Sequence, residues 1–344
     1  MTGIFIVDSH GFKLGKKGQR IVVNWNDGRR EEISIKKLSI VVISGSGSVS
    51  TQAMQLLADN NIPVVFTSRN SPYATMHPFF MHGTVLTRRE QMRSLDDHRG
   101  LHLAKAFVYS AIMNKVRTLR YFIKSRVRTD PLIKDDIEEF SKKIEEITNK
   151  LIELDGNLQF LRSTIMGLEG ESANLYYRAL SLLLPDELGF KGRDRRPPKD
   201  PVNSVLSYGY TVLTSIVLLA IAKVGLEPFA GYLHVDRSGR PSLILDLSEE
   251  FRQPIIDVLV VSLFSKRSLD IESFDILDDG RWAIKKESKG IFFDGLRKRL
   301  QMNIKSADGV ETTFERCILR QARNIVRYLL GRIPIYKPFI WKWW

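Results

Sequence analysis

The sequence predicts an α+β protein of two domains, a strand-rich N-terminal part followed by a longer helical part. Its 344 residues are enough for about two domains of ordinary size. Residues 1–82 contain short runs rich in valine and isoleucine, separated by glycine, asparagine and aspartate, which is typical of strands and turns. From Thr87 onward the apolar residues recur with the three- and four-residue spacing of helices.

The N-terminal part is predicted to contain strands with one helix among them. Asn26 to Arg29 has the composition of a hairpin turn, and Ser50 with Thr51 would cap a helix over Gln52–Asp59. We expect the strands around the loop Gly45–Ser50 to be antiparallel, which argues against a nucleotide-binding βαβ unit there. The predicted strands are Ile4–Val7, Gln19–Trp25, Arg30–Ile35, Ser39–Ile43 and Ile62–Phe66.

The helical part contains one segment that resembles a membrane span. Val202–Ala222 carries no charge and is long enough to cross a bilayer, but it includes many hydroxyl groups. Asp200 and Pro201 supply a helix cap and a first-turn proline. We therefore predict a buried central helix and no membrane association. The other predicted helices are Arg88–Lys124, Asp135–Leu154, Leu158–Leu168, Pro254–Leu263, Gly290–Met302 and Thr312–Leu330.

The charge of the chain favours a polyanionic partner. Lys and Arg total 52 against 39 Asp and Glu, a net charge of +13, and basic surfaces bind phosphates with release of counterions. An ordinary solvated linker or helix face is the alternative for each basic cluster. The candidate DNA-binding residues are Arg193, Arg195 and Arg196 in the loop 190–201, Arg252, and Arg316, Arg320 and Arg323 on one face of the last helix. The single cysteine, Cys317, fits a reducing, cytoplasmic compartment.

The stretch Gly231–Arg252 combines one histidine, His234, with the acids Asp246 and Glu249. Residues three apart share a face of a helix, so the two carboxylates would point the same way. Imidazole with carboxylates, and without thiols, suits Mn²⁺ or Mg²⁺. The alternative is a capping box, with Asp246 as the N-cap and Glu249 three residues later.

A further carboxylate, Glu169, lies between Gly167 and Gly170 in an otherwise helical pattern. Glycine inside a helix costs about 1 kcal/mol relative to alanine. Two glycines beside one glutamate therefore indicate either a close approach to the backbone or a plain helix break with a solvated carboxylate. The aromatic and basic tail from Tyr336 to Trp344 is equally compatible with base stacking and with docking onto the protein.

Several of these motifs together resemble the CRISPR-associated spacer-acquisition integrases, and the resemblance covers the whole chain. The motifs are GLEG with Ala173 and Tyr177, RPPKDPVNSVLSYGY, GYLH, LDLSEEFR and the closing IYKPFIWKW. The resemblance implies an N-terminal β-sandwich domain, residues 1–85, that forms a homodimer, and an all-α catalytic domain, residues 86–344. It also implies a complex with a second, small CRISPR adaptation protein.

The resemblance further implies a metal-dependent DNA endonuclease and integrase. Such an enzyme inserts short foreign-DNA spacers into a CRISPR array by attack of a 3′-hydroxyl on the repeat, so its partners are double-stranded protospacer and repeat DNA. Glu169, His234 and Glu249 would hold Mn²⁺ or Mg²⁺, with Asp246 as a nearby fourth acid. Glu250 stands where a proline is common, which leaves open which glutamate faces the metal. The competing hypothesis is a non-catalytic, basic DNA-binding scaffold.

Overall fold

The structure is a computed structural model that describes residues 3–68, 71–76, 84–126, 131–194, 197–305 and 309–343. The chain divides into two compact units, Met1–Gly83 and Thr84–Trp344. The boundary suggested by the sequence, between residues 85 and 86, lies two residues further along the chain.

The N-terminal unit contains two four-stranded sheets. One sheet has the strand order β1-β5-β7-β8 and the other has the order β4-β3-β2-β6. The strands are β1 (Gly3–Val7), β2 (Phe12–Lys17), β3 (Arg20–Asn24), β4 (Arg30–Ser34), β5 (Leu38–Ile43), β6 (Gly47–Val49), β7 (Val64–Ser68) and β8 (Ser71–Met76). A helix, α1 (Thr51–Asp59), begins after Ser50, whose side chain accepts the Ala53 N–H as an N-cap.

The core of this unit is shared by both sheets and the helix. Val7 and Val41 come from one sheet, Leu14 and Ile21 from the other, and Leu57 from α1; all are buried in one hydrophobic cluster. In β1, β2 and β3 the buried members of the cluster are alternate residues (Phe5 and Val7, Phe12 and Leu14, Ile21 and Val23), as two packed sheets require. The predicted β-sandwich with one short helix is confirmed.

Two expectations for this unit are wrong. Strand β2 was not predicted, because Gly15 and the lysines beside it resemble a turn, yet Phe12 and Leu14 are buried on one face while Lys13 is exposed. The strands around the loop 45–50 are parallel where antiparallel pairing was expected: β5 pairs in parallel with β7, and β2 with β6. Helix α1, which lies between β6 and β7, makes the parallel pairing of β5 with β7 possible, since it returns the chain to the end of the sheet at which β5 begins.

The C-terminal unit is mainly helical. Its helices are α2 (Thr84–Arg93), α3 (His98–Arg126), α4 (Pro131–Glu153), α5 (Leu158–Ser181), α6 (Pro201–Lys223), α7 (Ser242–Ser248), α8 (Val258–Ser265), α9 (Lys286–Gln301) and α10 (Phe314–Leu329). Two short antiparallel ribbons depart from a purely helical domain. They are formed by β9 (Phe274–Ile276) with β10 (Trp282–Ile284), and by β11 (Asn303–Lys305) with β12 (Glu311–Thr313).

Helix α6 lies inside this unit, as predicted. The Asp200 side chain accepts the Asn203 N–H, and Pro201 occupies the first turn. By length and composition α6 could cross a membrane, but 67% of its most apolar window is buried within the protein. The uncharged stretch is therefore accounted for by packing in the core.

Three helical segments differ from the predicted ones. The segment expected over Arg88–Lys124 is divided into α2 and α3 by a turn at Asp97, whose carboxylate accepts the Arg99 N–H at 2.8 Å. Helix α5 continues through Gly167 and Gly170, so no helix break occurs there. A π-helix over Arg252–Asp257 precedes α8, and such π segments are frequent at functional sites.

Candidate active site

The histidine of the loop 231–234 is oriented by a buried aspartate. His234 Nδ1 lies 2.6 Å from Asp246 Oδ1, and Asp246 is fully buried inside α7, so it is not an N-cap. The same carboxylate accepts the backbone N–H groups of Tyr232, Leu233 and His234 at 2.6, 3.0 and 3.0 Å. Because three backbone N–H groups already donate to Asp246, the carboxylate acts as an acceptor, and His234 Nδ1 donates to it. The lone pair of Nε2 is thereby left for a metal ion.

The loop approaches α7 closely because residue 231 has no side chain. A Cβ on Gly231 would lie 2.6 Å from the Ser242 Cβ and 2.9 Å from Asp246 Oδ2. Tyr232 is buried and its hydroxyl lies 2.9 Å from Ser94 Oγ, which ties the loop to the residue that follows α2. The GYLH motif is therefore a fixed support for one imidazole.

Glu169 is held by a buried lysine that the sequence did not single out. Lys115 Nζ, on α3, lies 2.8 Å from Glu169 Oε1 and 2.9 Å from Ser172 Oγ. The Lys115 side chain is 1% exposed and that of Glu169 is 20% exposed. The helical pattern places Lys115 among the basic residues of the exposed face of α3; the structure corrects this, because α5 covers it.

Glu249 follows α7 and is nearly fully buried. Arg252 Nη1 donates to Glu249 Oε1. Burial raises the pKa of Glu249; the positive charge of Arg252 lowers it, the negative charge of Glu169 raises it, and Lys115 and His234 lower it. Charges shift a pKa in this way only over short distances. Glu169 and His234, which are far from Glu249 in sequence, therefore lie within electrostatic range of it in the fold.

The donor chemistry of this cluster fits a hard divalent cation. Two carboxylates and one imidazole Nε2, without thiols, are ligands that Mn²⁺ and Mg²⁺ accept. Among the residues that the structure describes, however, no group of three or more His, Cys, Asp or Glu side chains is arranged closely enough to hold a metal ion. Each glutamate bonds a cationic side chain, so a metal ion would have to share the carboxylate oxygens with Lys115 and Arg252.

Glu250 belongs to a different environment from Glu249. Its Oε1 accepts the Tyr336 hydroxyl at 2.6 Å, and Oε2 accepts the Phe339 N–H at 2.8 Å. Tyr336, Phe339 and Trp341 are buried against the C-terminal unit. The tail is thus docked onto the protein through these aromatic residues, and the two adjacent glutamates contact different partners.

A tyrosine cluster connects the π-helix to α5 and α6. Tyr176 and Tyr210 donate to the two oxygens of Asp257 at 2.9 and 2.5 Å, and the Tyr177 hydroxyl lies 2.8 Å from that of Tyr210. Burial raises the pKa of Asp257 to about 6, although the two tyrosine bonds lower it. The Arg252 guanidinium lies 5.2 Å from the centre of the Tyr210 ring. The cluster therefore supports the cation that bonds Glu249.

The candidate DNA-binding arginines fall into three groups. Arg316 and Arg323 are exposed on α10, with Arg320 half-buried between them. Arg193 and Arg252 are engaged within the protein: Arg193 donates to Asn203 Oδ1 at 2.7 Å and to Ser207 Oγ at 2.9 Å, and Arg252 bonds Glu249. Arg195 and Arg196 lie outside the described residues.

The two-unit fold and this cluster define a class of protein: a β-sandwich unit followed by a mainly helical unit in which buried acids, a histidine and two cationic side chains are brought together. The profile of the family "CRISPR associated protein Cas1" matches residues 5–298. The chain therefore belongs to the Cas1 family. Cas1 endonucleases depend on a divalent metal, which agrees with the donor chemistry of the cluster.

Full-length relatives support the same assignment. CRISPR-associated endonuclease Cas1 1 of Archaeoglobus fulgidus is 32% identical over 350 residues, covering 98% of this chain and 99% of the relative. CRISPR-associated endonuclease Cas1 3 of Thermus thermophilus is 31% identical over 342 residues, covering 98% of this chain and 96% of the relative. The chain is accordingly an enzyme of the Cas1 endonuclease and integrase family.

Solved structures share the fold. A Cas1 protein from Thermotoga maritima superposes with a TM-score of 0.75 at 25% identity, over 96% of this chain and 97% of that chain. A casposase bound to an integration product gives a TM-score of 0.81 at 23% identity, over 97% and 92%. A Cas6-RT-Cas1–Cas2 complex gives 0.78 at 21%, covering 100% of this chain and 36% of that chain. The last two likenesses concern the fold alone.

Proposed function

We propose that this protein cuts and joins DNA phosphodiesters at a site built from Glu169, His234 and Glu249, which bind Mn²⁺ or Mg²⁺, while Asp246 orients His234. When bound, the ion would neutralise a non-bridging phosphate oxygen and the charge that develops on the leaving 3′ oxygen. The observation that supports this most is the 2.6 Å contact of His234 Nδ1 with the buried Asp246, which turns Nε2 of the imidazole into a ligand, while the charge of Glu169 raises the pKa of the buried Glu249.

The side chains around the ligands have separate tasks. Lys115 and Arg252 balance the two glutamates, so the carboxylates can lie close together without strong repulsion. The nucleophile is the 3′-hydroxyl of incoming DNA in integration and a water molecule in hydrolysis. Because Glu169 and His234 are 20% and 14% exposed, a DNA strand can reach the cluster from their side.

The substrates we propose are double-stranded protospacer DNA and a CRISPR repeat. The net charge of +13 suits two DNA duplexes, and Arg316 and Arg323 present part of it on one face of α10. We also propose that the chain works in the cytoplasm, as a homodimer formed through the N-terminal unit, with a second small CRISPR adaptation protein. A structural neighbour of the same fold that is in complex with Cas2 supports the last point.

The test uses fluorescent branched DNA and duplex DNA with a free 3′-hydroxyl, incubated with Mn²⁺. We expect His234→Ala and Glu169→Ala to lower cleavage and joining by at least about 100-fold, since loss of even an outer partner of a metal ligand costs 10- to 100-fold. His98→Ala is the matched control, because His98 is an exposed histidine at the start of α3, and it should react like the wild type.

Equal rates in the wild type and both site variants would show that the site is wrongly assigned. If DNA binding were then salt-sensitive, independent of metal and unchanged in Glu169→Ala, the protein would act as a basic DNA-binding scaffold.

A further inference from the structure

The carboxylate next to Glu249 collects donors from the last part of the chain. Besides the Tyr336 hydroxyl and the Phe339 N–H, Gln321 Nε2 on α10 donates to Glu250 Oε2 at 3.0 Å. Gln321 also donates to the Tyr336 hydroxyl at 3.1 Å and to the Lys337 carbonyl at 3.0 Å. Glu250 is fully buried, so α10 and the tail are fastened to this single side chain.

A second set of bonds fastens the backbone at residue 250 to the same tail. Asn114 Nδ2 donates to the Glu250 carbonyl at 2.8 Å and to the Phe339 carbonyl at 3.0 Å. Asn114 Oδ1 accepts the Trp341 N–H at 2.8 Å. The next ring, that of Phe251, stacks on Phe339 with centroids 5.1 Å apart and planes 15° apart. The main chain at residues 250 and 251 is therefore held from two sides.

Helix α3, which carries Asn114, also reaches the candidate metal site. Asn114 and Lys115 are consecutive on α3: Asn114 bonds residue 250 and the tail, whereas Lys115 bonds Glu169. Glu249 and Glu250 are likewise consecutive, with Glu249 toward the cluster and Glu250 toward the tail. Two adjacent pairs of residues therefore connect the tail to the positions of Glu169 and Glu249.

We propose that Glu250 is a positioning residue, through which the tail 336–341 fixes the backbone of residues 249–252 and thereby places the Glu249 carboxylate for metal binding. This inference rests on the proposed function of Glu249 as a ligand. Metal ligands must be held within a few tenths of an ångström to bind well, and they depend on a supporting shell for that precision. Burying a carboxylate among neutral donors alone costs free energy of folding. The positioning of Glu249 accounts for why the chain carries such a group here.

The test is Glu250→Gln, which keeps the size of the side chain but replaces one acceptor oxygen with a donor. One of the three donors, Tyr336, Gln321 or the Phe339 N–H, then faces an N–H group. Mn²⁺ binding is measured calorimetrically on the full chain without DNA, and cleavage is measured over a range of Mn²⁺ concentrations. We expect about 10-fold weaker Mn²⁺ binding, with cleavage at saturating Mn²⁺ within about 3-fold of the wild type.

Two further variants separate positioning from simple loss of stability. The exchange Glu250→Gln with Gln321→Glu restores a donor and an acceptor between these residues, and Mn²⁺ affinity should return to within about 3-fold of the wild type. Glu272→Gln, at an exposed glutamate, should leave Mn²⁺ affinity unchanged. If Glu250→Gln does not fold, Tyr336→Phe, which removes one donor to Glu250 and one acceptor of Gln321, should weaken Mn²⁺ binding by about 3-fold.

Unchanged Mn²⁺ affinity in the folded Glu250→Gln or Tyr336→Phe protein, with only a lower melting temperature, would overturn the positioning role. Failure of the proposed function has a different signature: Glu249→Gln and Glu169→Ala would then bind Mn²⁺ as the wild type does, and the positioning role would fall with it.

Discussion

The segment from Glu249 to Asp257 carries three buried carboxylates that are satisfied in two different ways. Glu249 bonds a guanidinium, that of Arg252, and the charge of Lys115 also lowers its pKa. Glu250 and Asp257 are bonded by neutral donors, namely tyrosine hydroxyls, an amide and a backbone N–H. Glu249 thus lies in a pocket with cationic partners, the charged pocket. Glu250 and Asp257 lie in pockets of neutral hydrogen-bond donors, the neutral pockets.

The two kinds of partner give the carboxylates different roles: one bonded by cations can exchange them for a metal ion, and one bonded by neutral donors holds the structure together. A carboxylate held by cationic side chains can pass part of that contact to a metal ion, since both partners are positive. A buried carboxylate that is hydrogen-bonded only by neutral donors has no directly bonded cation to exchange, and burial makes its ionisation costly, so its pKa rises. Burial raises the pKa of Glu250 to about 7 and that of Asp257 to about 6. The neutral pockets hold the segment in place, and the charged pocket is where chemistry can occur.

The largest expected effect is the change in the free energy of unfolding with pH that Asp257 causes. Its pKa in the folded protein, about 6, lies above the ordinary value of 3.8, so the folded state binds the proton more tightly than the unfolded state. The resulting stabilisation is complete below pH about 3.8 and is lost as the pH rises through about 6, a change of at most about 3 kcal/mol. Denaturant unfolding at several pH values between 4 and 7 measures it.

Comparison with Asp257→Asn isolates this contribution, because the variant lacks the titrating group. The difference in free energy of unfolding between wild type and variant should shift against the wild type as the pH rises. Asp294→Asn, at an exposed aspartate that bonds Arg297, is the control for the same substitution outside the core. A difference for Asp257→Asn that does not change with pH would mean that Asp257 is not in a neutral, costly pocket.

The second effect tests the charged pocket through Lys115→Met. Breaking a buried ion pair costs about 3 to 5 kcal/mol; since the Glu169 side chain is 20% exposed, we expect the metal-free protein to lose about 2 kcal/mol of unfolding free energy. Mn²⁺ should stabilise the variant more than the wild type, because the ion takes over the neutralisation of Glu169. Thermal unfolding with and without Mn²⁺ measures both changes.

Lys143→Met is the control for that experiment, because the Lys143–Glu139 pair is exposed at both ends and such pairs contribute little. If Lys115→Met matched the wild type in stability and in its response to Mn²⁺, the ammonium would have no part in the charge balance of the site.

Local pattern was sufficient for much of the fold. The spacing within Asp135–Leu154 predicts an apolar stripe of Ile137, Phe140, Ile144, Ile147 and Leu151, and all but the half-buried Phe140 are buried, because one face of α4 packs inward regardless of what covers it. The Asp200 cap and the Ser50 cap were predicted for the same reason: the residues that decide them are within a few positions. Strand β2 and the parallel pairing were not predictable, since they depend on which strands meet.

The candidate site divides along the same line. The motifs around Glu169, His234 and Glu249 carried the prediction of a cluster, and its ligand roles remain a prediction. Lys115 was missed because a helical pattern cannot indicate that α5 covers one lysine among many basic residues. The hydrogen-bond partners of Glu250 are Tyr336 and Phe339, which lie far along the chain. No local pattern could therefore predict that Glu250 faces the tail.

The smallest effect we predict concerns α10, which faces both the neutral pocket and the solvent. Gln321 contacts Glu250, whereas Arg316 and Arg323 are exposed. Replacing both arginines with alanine should lower the slope of log affinity against log salt by about 2 and weaken DNA binding roughly 10-fold, because each arginine that contacts a phosphate releases about one counterion. Mn²⁺ affinity should not change, since the Gln321 face is untouched.

Arg29→Ala with Arg30→Ala is the matched control: both arginines are exposed but already bond carboxylates, those of Asp27 and Glu32. An unaltered salt slope in the α10 variant would mean that its arginines form only a solvated face, whereas a loss of Mn²⁺ affinity would mean that the two faces of α10 are not independent.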